Sequence, residues 1–255
     1  MADAAQLREF SVDIALHQSG HSPLVRTLRD VNLTVPTGKL TALIGESGCG
    51  KSLVAATLCG LLPPGSRARG QIRVGGRDLS AAGERDWREV RGHHIGLVPQ
   101  SAATSFTPVR TVGAQLTEVC RRLGADRSAA ELLTAVHLPV DAGALYPHEL
   151  SGGMAQRAAI AAAIAARPAL LVADEPTSAL DPAHAAAIWE LLGSIAEAGA
   201  GVLVITHDLR SLLDAAVCDD VALMRDGTII CQAPLTEMAD SADNYIGLFF
   251  AGANS

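Results

Sequence analysis

The sequence predicts an α/β fold with a mostly parallel sheet, antiparallel strands near its N-terminal end and an inserted α-helical subdomain. Three observations predict it. Short apolar runs alternate with stretches of helical periodicity, as in a parallel sheet crossed by helices. The segments before residue 36 alternate apolar and polar residues instead, as half-buried strands do. From Ser101 to Leu150 the apolar positions Leu116, Val119, Leu123, Leu132, Leu133 and Val136 fall at helical spacing, which marks a helical insertion.

In chain order, Ser11 to Leu16 and Leu28 to Val35 are expected strands, and Pro36-Thr37-Gly38 makes a turn. Leu40 to Ile44 reads as a buried strand feeding a Gly-rich loop, and Ser52 to Leu61 as the helix after it. Strands are expected at Gln71 to Val74 and Ile95 to Val98. A helix over Met154 to Ala166, a strand over Ala169 to Ala173, a helix over Ala183 to Ala198 and a strand over Gly201 to Thr206 follow. Val221 to Met224 and Thr228 to Gln232 form a hairpin whose turn is Asp226-Gly227, a pair that accepts the positive φ of a two-residue turn.

The 255 residues are 49% hydrophobic but only 3% aromatic, so one large domain with an aliphatic core is expected. A formal charge of −7 disfavours binding to nucleic-acid phosphates. The odd, scattered cysteines Cys49, Cys59, Cys120, Cys218 and Cys231 read as reduced thiols of a cytosolic protein. Met1 to Glu9 carries acidic residues and no apolar stretch of the kind a secretory signal needs. The most apolar segment, Ala158 to Val172, is broken by Arg167 and Pro168, so a membrane role has to be peripheral.

Gly45-Glu46-Ser47-Gly48-Cys49-Gly50-Lys51-Ser52 fits the GxxxxGK[ST] phosphate loop, between an expected strand and an expected helix. Its glycines let backbone N–H groups wrap around phosphate oxygens, and the following helix adds its positive dipole end. Lys51 can reach the β- and γ-phosphates of a nucleotide, and the Ser52 hydroxyl can ligate Mg²⁺. Leu170-Leu171-Val172-Ala173-Asp174-Glu175 is an apolar strand ending in two carboxylates. Asp174 can hold Mg²⁺ through water. Glu175 stands where it can orient or deprotonate an attacking water.

Leu150-Ser151-Gly152-Gly153-Met154, at a helix start and shortly before that strand, resembles the signature motif of the ABC (ATP-binding cassette) ATPases. The resemblance runs from about Phe10 to Gln232 and implies a P-loop NTPase fold of RecA type. A sheet lobe would span residues 1–100 and 168–255, and a helical lobe 101–167. It further implies that Ser151, Gly152 and Gly153 bind the γ-phosphate of ATP held by another subunit. Gln100 resembles the glutamine that senses Mg²⁺ and water. Ser178-Ala179-Leu180-Asp181 resembles the loop that crosses the dimer interface, and His207 the histidine that contacts the γ-phosphate. The run Tyr146 to Met154, the run Thr107 to Gly113 after Gln100, and Lys51-Ser52-Leu53 with Leu61-Leu62-Pro63 are similar to the peptide/nickel importer branch.

The cofactors implied are ATP and Mg²⁺. The implied partners are membrane-spanning permease subunits and a second ATPase subunit, a different homologue or a second copy. An extracellular solute-binding protein acts indirectly, and no nucleic acid is expected. The implied place is the cytoplasmic face of a bacterial membrane, and the implied cargo a di- or oligopeptide, or nickel or a metal chelate. A soluble ABC ATPase of DNA repair or the ribosome is the rival reading, but the long coiled-coil insert, zinc cysteines or tandem cassette of such proteins are missing from the sequence. A chain that binds ATP without hydrolysing it would not need Glu175 and His207. Many peptide-importer subunits carry a longer C-terminal extension with a cysteine cluster. Here the last cysteine is Cys231 and the sequence runs to Ser255, which leans toward the nickel or metal-chelate members. His93-His94 is expected to be a solvated loop, Cys49 a passive small residue, and the basic stretch Arg67 to Arg77 a solvated edge.

The family commonly stacks adenine on an aromatic side chain upstream of the phosphate loop, and no aromatic residue occurs between Ser11 and Lys39. His17 and His21 are the substitutes the sequence offers. Stacking of a base on an aromatic is worth roughly 1–3 kcal/mol. ATP and GTP are therefore expected to bind within about tenfold of each other in a competition titration, and a hundredfold preference for ATP would reveal a base contact elsewhere.

Overall fold

A computed structural model describes residues 3–15, 24–178 and 180–239. Strands β1 (Asp3–Ala15) and β2 (Leu24–Pro36) pair antiparallel, and the second leads through the Gly38 turn into β3 (Leu40–Gly45). All six residues of β3 are buried, as its unbroken apolar run requires. Helix α1 (Lys51–Leu58) follows. It stops short of the predicted Leu61 because Gly60 takes a left-handed φ of 64° and Leu61 N–H turns back to Ala56 C=O at 2.7 Å, a Schellman ending. Strand β4 (Arg67–Val74) pairs with β1 on one side and with the short β5 (Arg77–Asp78) on the other.

The expectation of a solvated edge at Arg67 to Arg77 holds for most of the stretch: the arginines are exposed, Arg67 to Gln71 have β1 as their partner strand, Arg73 and Val74 alone gain a second one in β5, and Arg77 lies on β5, which ends the sheet. Helix α2 (Glu84–Val90), absent from the sequence reading, precedes β6 (Ile95–Val98). Between β6 and the next strand lie α3 (Val112–Leu123), α4 (Ala129–Ala135) and α5 (Gly152–Ala163), joined by short 3-10 turns. Alternation then resumes with β7 (Leu170–Asp174), α6 (Pro182–Glu197), β8 (Gly201–Ile205), α7 (Leu209–Ala215), the hairpin β9 (Asp220–Arg225) and β10 (Thr228–Pro234), and α8 (Leu235–Ala239).

The larger sheet has the order β10-β9-β3-β8-β7-β6, parallel throughout except for β10. The smaller sheet, β2-β1-β4-β5, is antiparallel. Two hydrophobic clusters sandwich the parallel sheet. One unites α1 with the inner face of the antiparallel sheet through Leu28, Val54, Leu58 and Ile72. The other joins α6 and α7 to the helical insertion through Leu116, Leu132, Ile160, Trp189 and Leu212. The helical insertion therefore packs into one face of the sheet rather than standing apart from it.

The two sheets are tied at their shared margin by one side chain. The amide of Gln232, on β10, donates to Thr34 C=O at 2.6 Å and accepts from Thr34 N–H at 3.0 Å, so a side chain completes one step of a ladder beside β2. The β9–β10 turn is the expected pair, with φ of 47° at Asp226 and 81° at Gly227. Its tip is docked as well: Gly227 N–H reaches Cys49 C=O at 3.0 Å, and Gly227 C=O takes Arg29 N–H at 2.8 Å. A Cβ at Gly227 would lie 2.2 Å from the Thr27 carbonyl. Gly227→Ala thus combines that collision with left-handed strain and is expected to cost about 1–3 kcal/mol of stability, read as a lower midpoint in urea unfolding.

Candidate nucleotide site at the carboxyl edge of the parallel sheet

The parallel register gathers the chemistry. Leu43 pairs with Ile205, Ile205 with Asp174, and Ala173 with Val98. The segments that leave these strands, Gly45 to Ser52, Asp174-Glu175, Thr206-His207 and Pro99-Gln100, therefore emerge side by side at one edge. Ligands of open α/β sheets bind at such carboxyl ends.

Gly45 closes β3 with φ of 153°, and a Cβ there would lie 2.2 Å from the Met224 carbonyl, so the loop can leave the sheet here only as glycine. Glu46, Ser47 and Gly48 are exposed, Cys49 and Gly50 half-buried. Gly50, with φ of 111°, starts α1, whose first N–H groups have no partner within the helix. Lys51 is buried, and its ammonium donates to the carbonyls of Gly45 and Glu46, each at 2.8 Å. The loop thus folds round its own cation. Cys49 Sγ lies 3.9 Å from that ammonium.

Ser52 is exposed at the start of α1. Burial raises the Asp174 carboxyl above the ordinary carboxylate range. The Ser52 hydroxyl and the Lys51 charge oppose the rise, and the Glu175 charge adds to it. Asp174 Oδ1 is buried without a protein hydrogen-bond partner. A hard oxygen kept free beside a serine hydroxyl suits Mg²⁺, so Asp174 and Ser52 fit the ion.

Glu175 has a left-handed backbone, φ 50°, held by its N–H to Ile205 C=O at 2.8 Å and by Ser178, whose Oγ and N–H reach Glu175 C=O at 2.9 and 3.2 Å. Such strain costs about 1–3 kcal/mol and gathers at functional sites. It turns the carboxylate toward the next strand end, where His207 Nδ1 lies 2.9 Å away. Beneath this pair Thr206 is fully buried, and its Oγ1 accepts from Asp208 N–H at 3.0 Å. Asp208 caps α7 through Ser211 N–H at 3.1 Å, and Ser211 Oγ in turn takes Trp189 Nε1–H at 2.9 Å. The sequence reading missed this support; the Asp-x-x-Ser spacing at 208–211 is the signal that could have found it. Gln100 is exposed two residues beyond β6.

Ser151, Gly152, Gly153 and Asp181 stand apart from this edge. Ser151 caps α5, its Oγ accepting from Met154 N–H at 3.3 Å. Asp181 caps α6, its Oδ1 accepting from Ala183 and His184 N–H at 3.1 Å each. These two helix starts touch one another: a Cβ at Gly152 would be 3.5 Å from Leu180 Cδ2, and one at Gly153 2.8 Å from His184 Cδ2. Helix α5 packs on β6, α3, α4 and α6, whereas the phosphate loop lies between β8 and β9. His17, His21 and Ala179 lie outside the described residues. Among the described residues no cluster of three or more His, Cys, Asp or Glu could hold a metal, and His93-His94 belongs to none. No helix among them is long and apolar enough to cross a membrane.

A parallel sheet with a phosphate loop on its central strand, two carboxylates on the neighbouring strand end and a helical insertion defines a nucleotide-hydrolysing cassette. The ABC transporter family profile matches residues 28–178, and the chain belongs to that family as one of its ATPases. It is 40% identical over 237 residues, 89% of this chain and 70% of that protein, to the "Probable peptide ABC transporter ATP-binding protein y4tR" of Sinorhizobium fredii. It is 39% identical to the oligopeptide transport ATP-binding protein OppD of Bacillus subtilis over 86% of this chain and 63% of that one. The chain thus spans about two thirds of the length of these relatives. Among solved structures it is similar to a dimeric ATP-binding cassette in a post-hydrolysis state bound to ADP and Pi, with TM-score 0.76 and 25% identity over 91% of this chain and 98% of that one.

The raised Asp174 carboxyl has a testable sign. Above the ordinary aspartate pKa of about 3.9, the folded chain keeps a proton there that the unfolded chain has released, so stability falls as pH rises through that window. Asp174→Asn removes this loss. In metal-free buffer its Tm at neutral pH should exceed that of the wild type, the gap narrowing as pH falls toward about 4. A gap independent of pH would show that the charge is not the cause.

Proposed function

We propose that this chain is the ATP-hydrolysing subunit of an importer for di- or oligopeptides, working at the cytoplasmic face of the membrane. The observation that supports it most is the convergence of Lys51, Asp174, Glu175 and His207 at one sheet edge, in a chain whose relatives bear the names of peptide transport subunits. Nickel or a metal chelate is the alternative cargo. The names of the relatives favour the peptide.

In this reading the backbone amides at the start of α1 and Lys51 bind the β- and γ-phosphates of ATP. Lys51 exchanges its bonds to the Gly45 and Glu46 carbonyls for phosphate oxygens, so its cation is never without an acceptor. Ser52 and Asp174, with Gln100 at the next strand end, would hold Mg²⁺, which when bound neutralises developing charge on the phosphates. Glu175 accepts the proton of the attacking water. The strained backbone that aims it is fixed by Ile205 and Ser178 before substrate arrives, so no reorganisation is needed at the moment of reaction. His207, paired with Glu175 on one side and 71% exposed on the other, reaches the γ-phosphate.

Ser151, Gly152 and Gly153 form a second anion cradle at the start of α5, a helix that packs on β6, α3, α4 and α6. Its natural occupant is the γ-phosphate held by a companion ATPase subunit. Two subunits would then enclose two ATP molecules, and hydrolysis would reopen them. The helical insertion and the segment after Gln100 pass that motion to permease subunits. A different homologue as companion is the favoured assembly. Full transport-coupled hydrolysis by this chain with permeases alone would refute it.

Glu175→Gln and Lys51→Ala separate binding from chemistry. Gln keeps the size of Glu but takes no proton, and a positioned general base contributes about 10²–10⁴-fold to rate. In the assembled transporter Glu175→Gln should bind ATP with wild-type affinity while hydrolysis falls at least a hundredfold. Lys51→Ala should lose nucleotide affinity itself. Retention of more than about a tenth of wild-type hydrolysis by Glu175→Gln would remove Glu175 from the catalytic role.

A further inference from the structure

His184 is the third residue of α6. It belongs neither to the Ser151-Gly152-Gly153 turn nor to the 178–181 loop, and it joins the two. Its ring sits over Gly153: a Cβ on that glycine would be 2.8 Å from His184 Cδ2 and 3.4 Å from its Cγ. Its Nδ1 is 2.5 Å from Asp181 Oδ2, and its backbone N–H donates to Asp181 Oδ1 at 3.1 Å. The Asp181 carboxyl is held below the usual carboxylate range, first by the backbone N–H of His184 and then by its ring, so the carboxylate accepts and the ring Nδ1–H donates. Beside this contact Leu180 Cδ2 lies 3.5 Å from where a Gly152 side chain would begin. The imidazole therefore occupies the volume that the absent side chain of Gly153 leaves, and it is anchored there at its far side by Asp181.

We propose that His184 is a positioning residue that locks the Ser151-Gly152-Gly153 turn to the Asp181 turn, so that the cradle offered to a companion subunit's ATP and the loop beside it move as one body. The inference rests on the reading of Ser151 to Gly153 as such a cradle. Ser151 owes its direction to the first turn of α5, and that turn is flanked on α6 by His184 and, just before it, by Leu180. Without the ring, the turn loses its lateral stop and the serine hydroxyl its fixed direction. An anion cradle works through preorganised donors, so the loss falls on closure with the companion rather than on ATP binding at this chain's own phosphate loop. Glycine at 153 is in turn required by the histidine. A methyl group there would meet the ring at 2.8 Å, so the ring would have to shift against its bond to Asp181.

The test is a double-mutant cycle on Gly153→Ala and His184→Ala, with His184→Gln as the conservative variant. Two quantities are read: the ATP Kd of the isolated chain, and the ATP KM and kcat of the assembled transporter. His184→Ala is expected to raise KM roughly tenfold with the isolated-chain Kd unchanged. Gly153→Ala should do the same or worse. The double variant should be no worse than His184→Ala alone, since the ring that the added methyl group displaces is then gone. His184→Gln, whose carboxamide can donate to Asp181, should recover most of the loss. Independent, multiplying effects of the two substitutions would overturn the proposal, as would a parallel rise in Kd. Lys51→Ala serves as the control for the underlying reading: if it leaves the isolated-chain Kd intact, the phosphate-loop assignment fails on its own, whatever the cycle gives.

Discussion

Three separate pieces of this chain meet at the tip of one two-residue turn. Gly227 gives its N–H to the phosphate loop at Cys49 and its C=O to Arg29 of the antiparallel sheet. Gly50, which begins α1, rests 3.1 Å from Leu28 Cδ2 by the position its Cβ would take, so the loop has the antiparallel sheet directly against it. A side chain on Gly227 would collide with the Thr27 carbonyl, and one on Gly50 would be strained by its φ of 111°. The shape of the loop is thus a tertiary property, set by backbone groups of two other elements, and a Gly-rich sequence alone would leave it one conformation among many.

The same economy operates at the neighbouring strand ends. Glu175 is kept in a conformation it would not choose by the carbonyl that ends β8, and His207 leaves that same strand two residues later. The paired side chains are therefore spaced by the parallel register, while their orientation is set by turns packed beneath them, through Thr206, Asp208 and Ser211. Buried polar groups that are fully bonded stiffen their surroundings. Asp174 differs from these neighbours in having one oxygen left over, and that oxygen lies where a cation fits.

How much of this can be read from the sequence follows from the range of the interactions involved. The buried strands β3, β7 and β8, the phosphate loop, the two carboxylates and the Asp226-Gly227 turn are legible because each is written in adjacent residues. Asp3 to Phe10 is not legible as strand, because register shifts between Asp3 and Ala5 and between Leu7 and Phe10, the second at Glu9 with its positive φ, break the two-residue alternation there. Helix α2 escapes because it is seven residues long and buries only Val90. The packing of His184 over Gly153 joins residues thirty-one positions apart on two helices, and no local pattern announces it.

One small feature bears on the company this chain can keep. Strand β2 ends the antiparallel sheet, and such margins invite backbone pairing with any extended segment that drifts past. At Thr34 both backbone groups are already taken by the carboxamide of Gln232, a residue 198 positions away. The chain thus caps this point of its margin with a side chain that imitates a peptide unit, and a foreign strand laid along β2 at Thr34 would have to evict it first.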